Sequence, residues 1–336
     1  MILDPPYRTV LKPYGAALLE LAKERADIVC LSGDLTRQCE VDLFQDVFPQ
    51  RFIHAGMAEA NMIGIAAALA RTGLIPFVHT FGVFATRRPY DQIVNAVAYP
   101  GLPVRIIGFM PGISSPGGPS HQAIDDVALM RSIPGMTVID VADAVETRQV
   151  VRAIADLPGP VYVRLKRGEI PVLFDDAHEL SLTEAQQLTE GDDATIFASG
   201  MMLAPALAAQ RLLAAGRLGV SVVNVPVIKP IDEATVRRAA RGRRAVVTAE
   251  NHLVTGGLGS AVAEVLAAAG GSPPLTRVGL NDTFAEGAAS GPYLFQKYGL
   301  STQHLVDVLW SALELDGAAP VSPKSANLAA GEYSPV

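Results

Sequence analysis

Residues 51–78 read RFIHAGMAEANMIGIAAALARTGLIPFV, and their apolar pattern predicts a strand, a helix and a second strand in succession. The short apolar run Arg51–His54 is the first strand. Ala58–Arg71 is predicted as a helix because apolar residues recur there at spacings of three and four. Gly73 ends the helix, as a glycine just past a helix commonly does, and Ile75–Val78 is the second strand. This order is typical of one unit of a parallel sheet.

The same alternation of strands and helices continues on both sides of this stretch. In the first half of the chain it predicts strands at Asp27–Ser32, Val104–Gly108, Met136–Val141 and Val161–Leu165, and helices at Arg88–Ala98, Ala123–Arg131 and Ala144–Ala155. In the second half it predicts strands at Ala194–Ala198, Val220–Val225, Ala245–Ala249 and Leu275–Val278, and helices at Leu203–Ala215, Glu233–Ala240, Gly257–Ala269 and Thr302–Leu313. The fold class is therefore α/β, with a mostly parallel sheet covered by helices on both faces and a second, smaller α/β domain.

Composition changes mark the predicted domain boundaries. Between residues 168 and 193 the periodicity fades and charge rises, which predicts a linker with little structure of its own. Residues 316–336 are rich in Ala, Pro and Ser, which is typical of a mobile tail. The predicted division is thus a first domain at 1–167, a linker at 168–193, a second domain at 194–315 and the tail.

The overall composition excludes several classes of protein. The chain has 336 residues, 49% of them hydrophobic, a net charge of −7 and only 6% aromatic residues, which argues against a nucleic-acid partner. Cys30 and Cys39 are the only cysteines, so neither a disulfide framework nor a zinc set is expected. The sequence has no signal-peptide core at its start and no apolar run of membrane-spanning length. We therefore expect a cytoplasmic protein without a membrane partner.

Residues whose side chains could take part in binding or catalysis follow several of the predicted strands. Ligands of open parallel sheets bind at the carboxyl ends of the strands, so these positions are the first candidates for a site. Glu59 lies in the first turn of an otherwise apolar helix, with no charge partner evident nearby in the sequence. Its carboxylate either complements the helix dipole or faces a ligand as a buried acid. Phe81 and Phe84 follow the next strand, where they either belong to the core or form a stacking platform for a flat ring.

Three further segments have two interpretations each. The loop Pro111–Gln122 is rich in Gly and Pro, and its His121 is either a catalytic residue or a core histidine. Its place on a loop at a strand end makes it a candidate for catalysis. Arg164, Lys166 and Arg167 end the last strand of the first half, where they either hold a phosphate or form a solvated basic turn. The glycines of Glu250–Ser260 open a helix after a strand, but their spacing is not G-x-G-x-x-G, and helix packing explains them better than a phosphate loop.

Together these segments resemble the transketolase family. The resemblance to its pyrimidine-binding domain is carried by Gly56-Met-Ala-Glu59-Ala-Asn-Met, by Phe81 and Phe84, and by Gly118-Pro-Ser-His121-Gln. The segment Glu250–Ser260 resembles the C-terminal domain of the family, and the match extends over about Tyr14 to Leu313. The order, spacing and strand-end placement of these motifs make the resemblance more specific than any one of them alone.

The resemblance implies thiamine diphosphate chemistry and a role for each matching residue. Glu59 is expected to bond the N1′ atom of the aminopyrimidine, with Met57, Phe81 and Phe84 as the other cofactor-binding residues. His121 matches the family histidine that contacts the reacting hydroxyl or oxyanion, and Arg167 lies near the family arginine that holds substrate phosphate. The implied reaction transfers a two-carbon ketol unit from a ketose phosphate to an aldose phosphate.

A missing motif implies a partner chain. Transketolases hold the diphosphate and Mg²⁺ in another domain through a Gly-Asp-Gly motif, and this sequence contains no Gly-Asp-Gly. The sequence also begins where the pyrimidine-binding domain is expected to begin. We therefore expect the C-terminal section of a split transketolase, in which the diphosphate and Mg²⁺ half comes from an N-terminal-section subunit. Two copies of each subunit are the expected assembly, and the chain alone should not turn over substrate.

The sequence departs from the family pattern at three positions of the substrate pocket. Gly117 stands where transketolases commonly have an aspartate, Phe109 replaces a histidine, and Gln38 lies where the family often has a phosphate-binding serine. Loss of a hydroxyl-reading carboxylate changes substrate specificity strongly. Gly117 is expected to make space for a branched donor such as apulose 4-phosphate, and a sulfonated ketose or xylulose 5-phosphate is the alternative.

Several other functions fit parts of the pattern. A 1-deoxyxylulose-5-phosphate synthase-like enzyme and the beta subunit of a 2-oxo acid dehydrogenase have the same architecture, but the Gly-Pro-Ser-His-Gln loop favours transketolase. A non-catalytic regulatory subunit would be expected to lack the glutamate that is present in this sequence as Glu59. A dinucleotide-binding oxidoreductase is disfavoured because no G-x-G-x-x-G follows the first strand.

Overall fold

The computed structural model describes residues 1–287 and 289–321, in which strands and helices alternate in two successive halves of the chain. The first half contains β1 (Thr9–Leu11), α1 (Pro13–Glu24), β2 (Ile28–Ser32), α2 (Asp42–Val47), β3 (Phe52–His54), α3 (Glu59–Arg71), β4 (Ile75–Phe81), α4 (Gly82–Thr86), α5 (Tyr90–Gln92), β5 (Arg105–Phe109), α6 (Asp126–Arg131), β6 (Thr137–Asp140), α7 (Ala144–Ala155) and β7 (Val161–Leu165). The second half contains β8 (Glu169–Pro171), β9 (Gln186–Thr189), β10 (Ala194–Ala198), α8 (Leu203–Ala215), β11 (Val220–Asn224), β12 (Val227–Lys229), α9 (Glu233–Ala240), β13 (Ala245–Leu253), α10 (Leu258–Ala269), β14 (Leu275–Leu280), α11 (Gly291–Lys297) and α12 (Thr302–Ala312).

The larger sheet has seven strands in the order β12-β6-β7-β5-β4-β2-β3. All neighbouring pairs are parallel except β12 with β6. Every residue of β2, β5 and β7 is buried, as expected for parallel strands that are covered on both faces. On one face Ile28 and Cys30 pack in a core with residues of α1 and α7, while on the other Val29 and Leu31 pack with α3.

The smaller sheet has five strands in the order β14-β13-β10-β11-β9, parallel except for β9. The predicted fold class, a mostly parallel helix-covered sheet followed by a smaller α/β unit, is therefore confirmed. Most predicted elements agree with the observed ones within a few residues. The helix predicted at Arg88–Ala98 is instead the short α5, which continues as the π-helical segment Ile93–Ala98.

The structure differs from the sequence prediction in the region predicted as a linker, residues 168–193. That region contains β8, which pairs with β1, and β9, which pairs with β11. Such short edge strands have too few residues to show a period of two, and their pairing partners lie far away in the sequence. A strand of the second half, β12, also joins the first sheet through β6, so the two halves share backbone pairing.

The domain boundaries themselves stay predictions. Residues 322–336 of the predicted mobile tail lie outside the described residues. Within the described part of the chain, no helix is both long enough and apolar enough to cross a membrane.

The parallel register brings several strand ends to one edge of the large sheet. Phe81, the last residue of β4, is opposite Phe109, the last residue of β5, which in turn is opposite Leu165 at the end of β7. The segment that contains Phe84 and the loop that contains His121 therefore leave the sheet side by side. This is the edge at which the sequence predicts a ligand site.

Candidate active site

Glu59 is the first residue of α3 and follows a turn in which Gly56 has a φ of 72°, a value that favours glycine. Its carboxylate is 3% exposed, and Arg88 Nη1 donates a hydrogen bond of 2.6 Å to its Oε1. The expectation that Glu59 has no charge partner is therefore wrong. Arg88 lies 29 positions further along the chain, and only the packing of α3 beside the segment after β4 brings the two side chains together.

Phe84 connects this ion pair to His121. The Arg88 guanidinium carbon lies 4.0 Å from the centroid of the Phe84 ring, and the His121 ring meets the same ring edge-on at 5.2 Å. Phe81 stacks on Phe84 with centroids 6.1 Å apart and is itself buried in the core. Of the two aromatic residues, Phe84 is thus the partly exposed one that presents its ring to the site.

The guanidinium of Arg88, a planar cation, therefore lies on the Phe84 ring and is hydrogen-bonded to the Glu59 carboxylate. The guanidinium of Arg88 contacts the two groups that an aminopyrimidine ring would need, a stacking face and a buried carboxyl within reach of a ring nitrogen. The Arg88 side chain is 49% exposed, so it reaches Glu59 from the solvent side. The residues present fit the pyrimidine half of thiamine diphosphate.

His121 stands at the partly exposed end of a loop whose base is buried. Its Nδ1 lies 2.9 Å from Ser120 Oγ, and its backbone N–H donates to the Gly118 carbonyl. Gly117 lies directly against it, because a Cβ built on Gly117 would be 2.7 Å from the Cβ of His121. The role of Gly117 in making space for a branched sugar stays a prediction, and the structure shows that the side chain of His121 lies directly beside this glycine.

The remaining predicted site residues are more exposed than Glu59. The Met57 side chain is 78% exposed on the turn before α3. Gln38 is half-buried in the turns between β2 and α2, and Arg167 is half-buried just beyond β7. Burial and Glu40 raise the pKa of the Cys39 thiol, and Arg167 is near enough to oppose them. The segments of Gln38 and Arg167 are therefore neighbours, and their roles stay predictions.

The other two cations at the end of β7 are structural. Arg164 is 1% exposed and donates to Asp126 and Asp140, so neither a phosphate site nor a solvated turn describes it. Lys166 is also buried, and its Nζ donates to the Ala142 carbonyl at 2.9 Å. Burial lowers the pKa of Lys166 to about 8. The sequence did not reveal this because the acids that pair with Arg164 come from other elements and leave no pattern near it in the sequence. The three cations therefore looked like one exposed basic segment.

The glycines of the second half serve helix packing, as expected. The Glu250 carboxylate accepts hydrogen bonds from the backbone N–H groups of Leu258 and Gly259 at 2.7 and 2.8 Å, and so caps the N-terminus of α10. A Cβ on Gly257 would be 1.9 Å from Glu250 Oε2. Burial raises the pKa of Glu250 to about 7. The end of α10 therefore already holds an internal carboxylate where a phosphate loop would need open N–H groups.

No group of three or more His, Cys, Asp or Glu residues that could hold a metal ion occurs within residues 1–287 and 289–321.

Sequence reasoning missed two residues of this region, Arg88 and Asn251. The pair Arg87-Arg88 directly after the aromatic segment was a signal for the first. Asn251 lies in the second half and gives no local signal, because its contacts are with the loop before His121.

The chain thus combines two α/β units with a buried glutamate, an aromatic face and a loop histidine at one sheet edge, an arrangement typical of a transketolase-type pyrimidine-binding domain followed by a C-terminal domain. Residues 8–172 match the transketolase pyrimidine-binding domain and residues 183–305 match the transketolase C-terminal domain. The chain belongs to the transketolase family, and the predicted class of enzyme, a transferase of the transketolase type, is confirmed. Membership of this family implies dependence on thiamine diphosphate.

The similar proteins include subunits of split transketolases. The 6-deoxy-6-sulfo-D-fructose transketolase subunit SqwH of Clostridium sp. (strain MSTE9) is 45% identical over 87% of this chain and 91% of its own length. An apulose-4-phosphate transketolase subunit of Phocaeicola vulgatus is 32% identical over 87% of this chain and 93% of its own. A solved structure described as a split gene transketolase, inactive beta4 tetramer, has a TM-score of 0.82 and 41% identity, and covers 93% of this chain and 100% of that one. The predicted resemblance to split-transketolase C-terminal sections is thus confirmed.

Proposed function

We propose that this chain is the pyrimidine-binding subunit of a cytoplasmic, heterotetrameric transketolase. It would transfer a two-carbon ketol unit between sugar phosphates when an N-terminal-section subunit completes the site with the diphosphate and Mg²⁺ half. The single observation that carries the proposal is the contact series from Glu59 through Arg88 and Phe84 to His121 at one sheet edge. A related split gene transketolase is described as inactive when it consists of beta subunits alone, which supports the need for a partner.

Each residue of the series has a definite task in this mechanism. The nucleophilic carbon and the electron sink of the reaction come from bound thiamine diphosphate. The Glu59 carboxyl would bond the pyrimidine nitrogen and exchange a proton with it, while Phe84 would offer its face to the ring. Arg88 must give up its present contacts with both groups, which its half-exposed position permits.

His121 is the residue proposed to contact the substrate. Ser120 orients the His121 ring through Nδ1, which leaves Nε2 to bond the reacting hydroxyl of the sugar or to hold its proton. Arg167 is proposed to hold the substrate phosphate, with Gln38 close to it and Gly117 behind His121. Met57, exposed before α3, is proposed to contact the cofactor at the partner's side.

The relatives favour a ketose donor with a modified chain end. The 45% identical subunit is named for 6-deoxy-6-sulfo-D-fructose, and the 32% identical one for apulose 4-phosphate. The higher identity supports the sulfonated ketose, whose sulfonate would take the place of a phosphate at Arg167, and the branched ketose phosphate stays the alternative. A 1-deoxyxylulose-5-phosphate synthase-like or 2-oxo acid dehydrogenase function has less support, because these relatives are named as transketolases.

Reconstitution tests the proposed function directly. The purified chain should show ketol transfer to glyceraldehyde 3-phosphate only when mixed with its N-terminal-section subunit, thiamine diphosphate and Mg²⁺. The donors to compare are xylulose 5-phosphate, 6-deoxy-6-sulfofructose and apulose 4-phosphate, with each subunit alone as the control. Turnover by this chain alone would contradict the need for a partner, and decarboxylation of a 2-oxo acid in place of ketol transfer would contradict the class.

The contact between Gly117 and His121 makes Gly117 sensitive to the smallest substitution. In Gly117→Ala the new methyl group would lie 2.7 Å from the His121 Cβ, so the imidazole must move. We expect kcat of the reconstituted enzyme to fall about tenfold or more, because misplacing a reacting group by about 1 Å can cost as much as a hundredfold. Affinity for thiamine diphosphate should stay unchanged.

The matched control is Gly64→Ala in α3, where a Cβ has no neighbour within 4 Å in the part of the chain that the structure describes. That variant should keep full activity, since alanine suits an exposed helix position at least as well as glycine. If Gly117→Ala also kept full activity, the placement of His121 against Gly117 would have no bearing on catalysis.

A further inference from the structure

The loop that carries His121 is closed at its base. The Gly112 N–H donates to the Ala123 carbonyl at 2.9 Å, which joins the beginning of the loop to its end. Ile113 and Gln122 are fully buried, whereas His121 is partly exposed. The position of the imidazole therefore depends on how the base of this loop is held.

Asn251 of β13 holds the start of the loop from the second half of the chain. The side chain is 1% exposed; its Nδ2 donates to the Pro111 carbonyl at 3.0 Å and its Oδ1 accepts from the Ile113 N–H at 3.0 Å. Between these two residues Gly112 has a φ of +57°, and a Cβ there would be 2.1 Å from Asn251 Oδ1. One amide thus bonds both backbone groups that flank Gly112, as a neighbouring strand would.

The second half also holds the end of the loop. Gln122 Nε2 donates to the Glu286 and Ser115 carbonyls, both at 3.2 Å. The Leu253 N–H donates to the Ile124 carbonyl at 2.9 Å, just past the loop. The loop is therefore bonded at both ends to a part of the chain that supplies none of the groups proposed for the reaction.

We propose that Asn251 is a positioning residue of the transketolase site: it fixes residues 111–122 so that His121 faces Phe84 and the substrate. The inference rests on the proposed function. By contrast, the contacts of Glu59 with Arg88 and of Arg88 with Phe84 lie wholly within the first half. Loss of the Asn251 amide should therefore disturb the substrate side of the site and leave the cofactor side intact.

The main test compares Asn251→Leu with Thr248→Val in the reconstituted complex. Leucine has the same branched arrangement of side-chain heavy atoms, with bulkier methyl groups in place of the amide, and cannot bond Pro111 or Ile113. Thr248 is a buried residue of the same strand whose hydroxyl has no hydrogen-bond partner among the described residues, so its isosteric replacement is a matched control. For Asn251→Leu we expect a fall in kcat/KM for the donor sugar of about tenfold to a hundredfold. The concentration of thiamine diphosphate that gives half-maximal activity should change less than about twofold, and Thr248→Val should match the wild type in both values.

Amide hydrogen exchange of the chain gives a second readout that does not need turnover. In Asn251→Leu, exchange of residues 111–123 should accelerate about tenfold or more while exchange of β2 and α3 stays unchanged. Should Asn251→Leu not fold, Gln122→Met removes the bonds to Ser115 and Glu286 from the loop side and should give the same pattern.

Two results would overturn the inference. One is unchanged kcat/KM and unchanged exchange of residues 111–123 in the folded variant. The other is equal loss of cofactor affinity and turnover together with faster exchange throughout the chain, which would indicate a merely structural role. A wild-type complex without ketol transfer would refute the proposed function instead, and the exchange experiment would still decide whether Asn251 fixes the loop.

Discussion

The Glu59→Gln variant, reconstituted with the partner subunit, is expected to lose ketol transfer by a factor of about a hundred to ten thousand. The amide has the shape of the carboxyl group but cannot share a proton with the pyrimidine nitrogen, and a positioned proton-transfer group contributes about this much to a rate. Glu59 is 3% exposed, so water cannot easily replace it. The measurement is steady-state ketol transfer at saturating donor and cofactor.

A control must separate this loss from the loss of an ion pair. Glu59→Gln also weakens the 2.6 Å bond from Arg88. Glu264 is likewise paired with an arginine, Arg131 Nη2 at 2.8 Å, but is 67% exposed and belongs to α10 in the second half. Glu264→Gln should therefore keep full activity. If Glu59→Gln retained more than about a tenth of the wild-type rate, Glu59 would not be the group that shares the proton.

The cofactor side of the site was accessible to sequence reasoning because its residues are close to strand ends. The helical spacing of α3 and the apolar run of β4 placed Glu59, Phe81 and Phe84 at one edge without any tertiary information. The alternation also predicted the parallel sheets, since parallel strands buried on both faces are continuous apolar runs. Helical spacing and apolar runs are periodic patterns of neighbouring residues, so they can be read from the sequence alone.

Contacts between distant segments were not accessible in the same way. The partnership of Arg88 with Glu59 depends on how α3 packs beside the segment after β4. The placement of His121 against Gly117 depends on the conformation of a loop without periodicity. The strands β8, β9 and β12 are short and pair with remote partners, so the predicted linker region could not be recognised as structured.

For Arg164 the neighbouring residues in the sequence led to a wrong prediction of its surroundings. It stands beside Lys166 and Arg167, which suggested a basic surface, but it is the centre of a buried network. Its guanidinium donates to Asp126 at 2.8 and 3.1 Å and to Asp140 at 3.0 Å. It also donates to the carbonyl of Asn251, so the strand that positions the His121 loop is bonded to the same cation. The network joins the two halves of the chain.

Replacing Arg164 is expected to cause a large loss of folding stability. In Arg164→Met two buried carboxylates, Asp126 and Asp140, would lack their cation, and breaking a buried pair from one side costs about 3–5 kcal/mol. The measurement is the midpoint of urea unfolding, compared with Arg152→Met. Arg152 pairs with Glu24 at the surface, with side chains 61% and 55% exposed, so its loss should cost less than about 1 kcal/mol.

The pH dependence of this loss identifies its cause. Burial already raises the pKa of Asp140 in the wild type, and removal of the Arg164 cation should raise it further. A carboxyl whose folded-state pKa is raised favours folding at low pH and loses that stability as the pH rises through its folded-state value. Arg164→Met should therefore be destabilised less at pH 5 than at pH 8, and adding Asp126→Asn and Asp140→Asn should remove most of this difference. A loss that did not vary with pH would mean that packing around the arginine stem, and not the two uncompensated carboxylates, accounts for the effect.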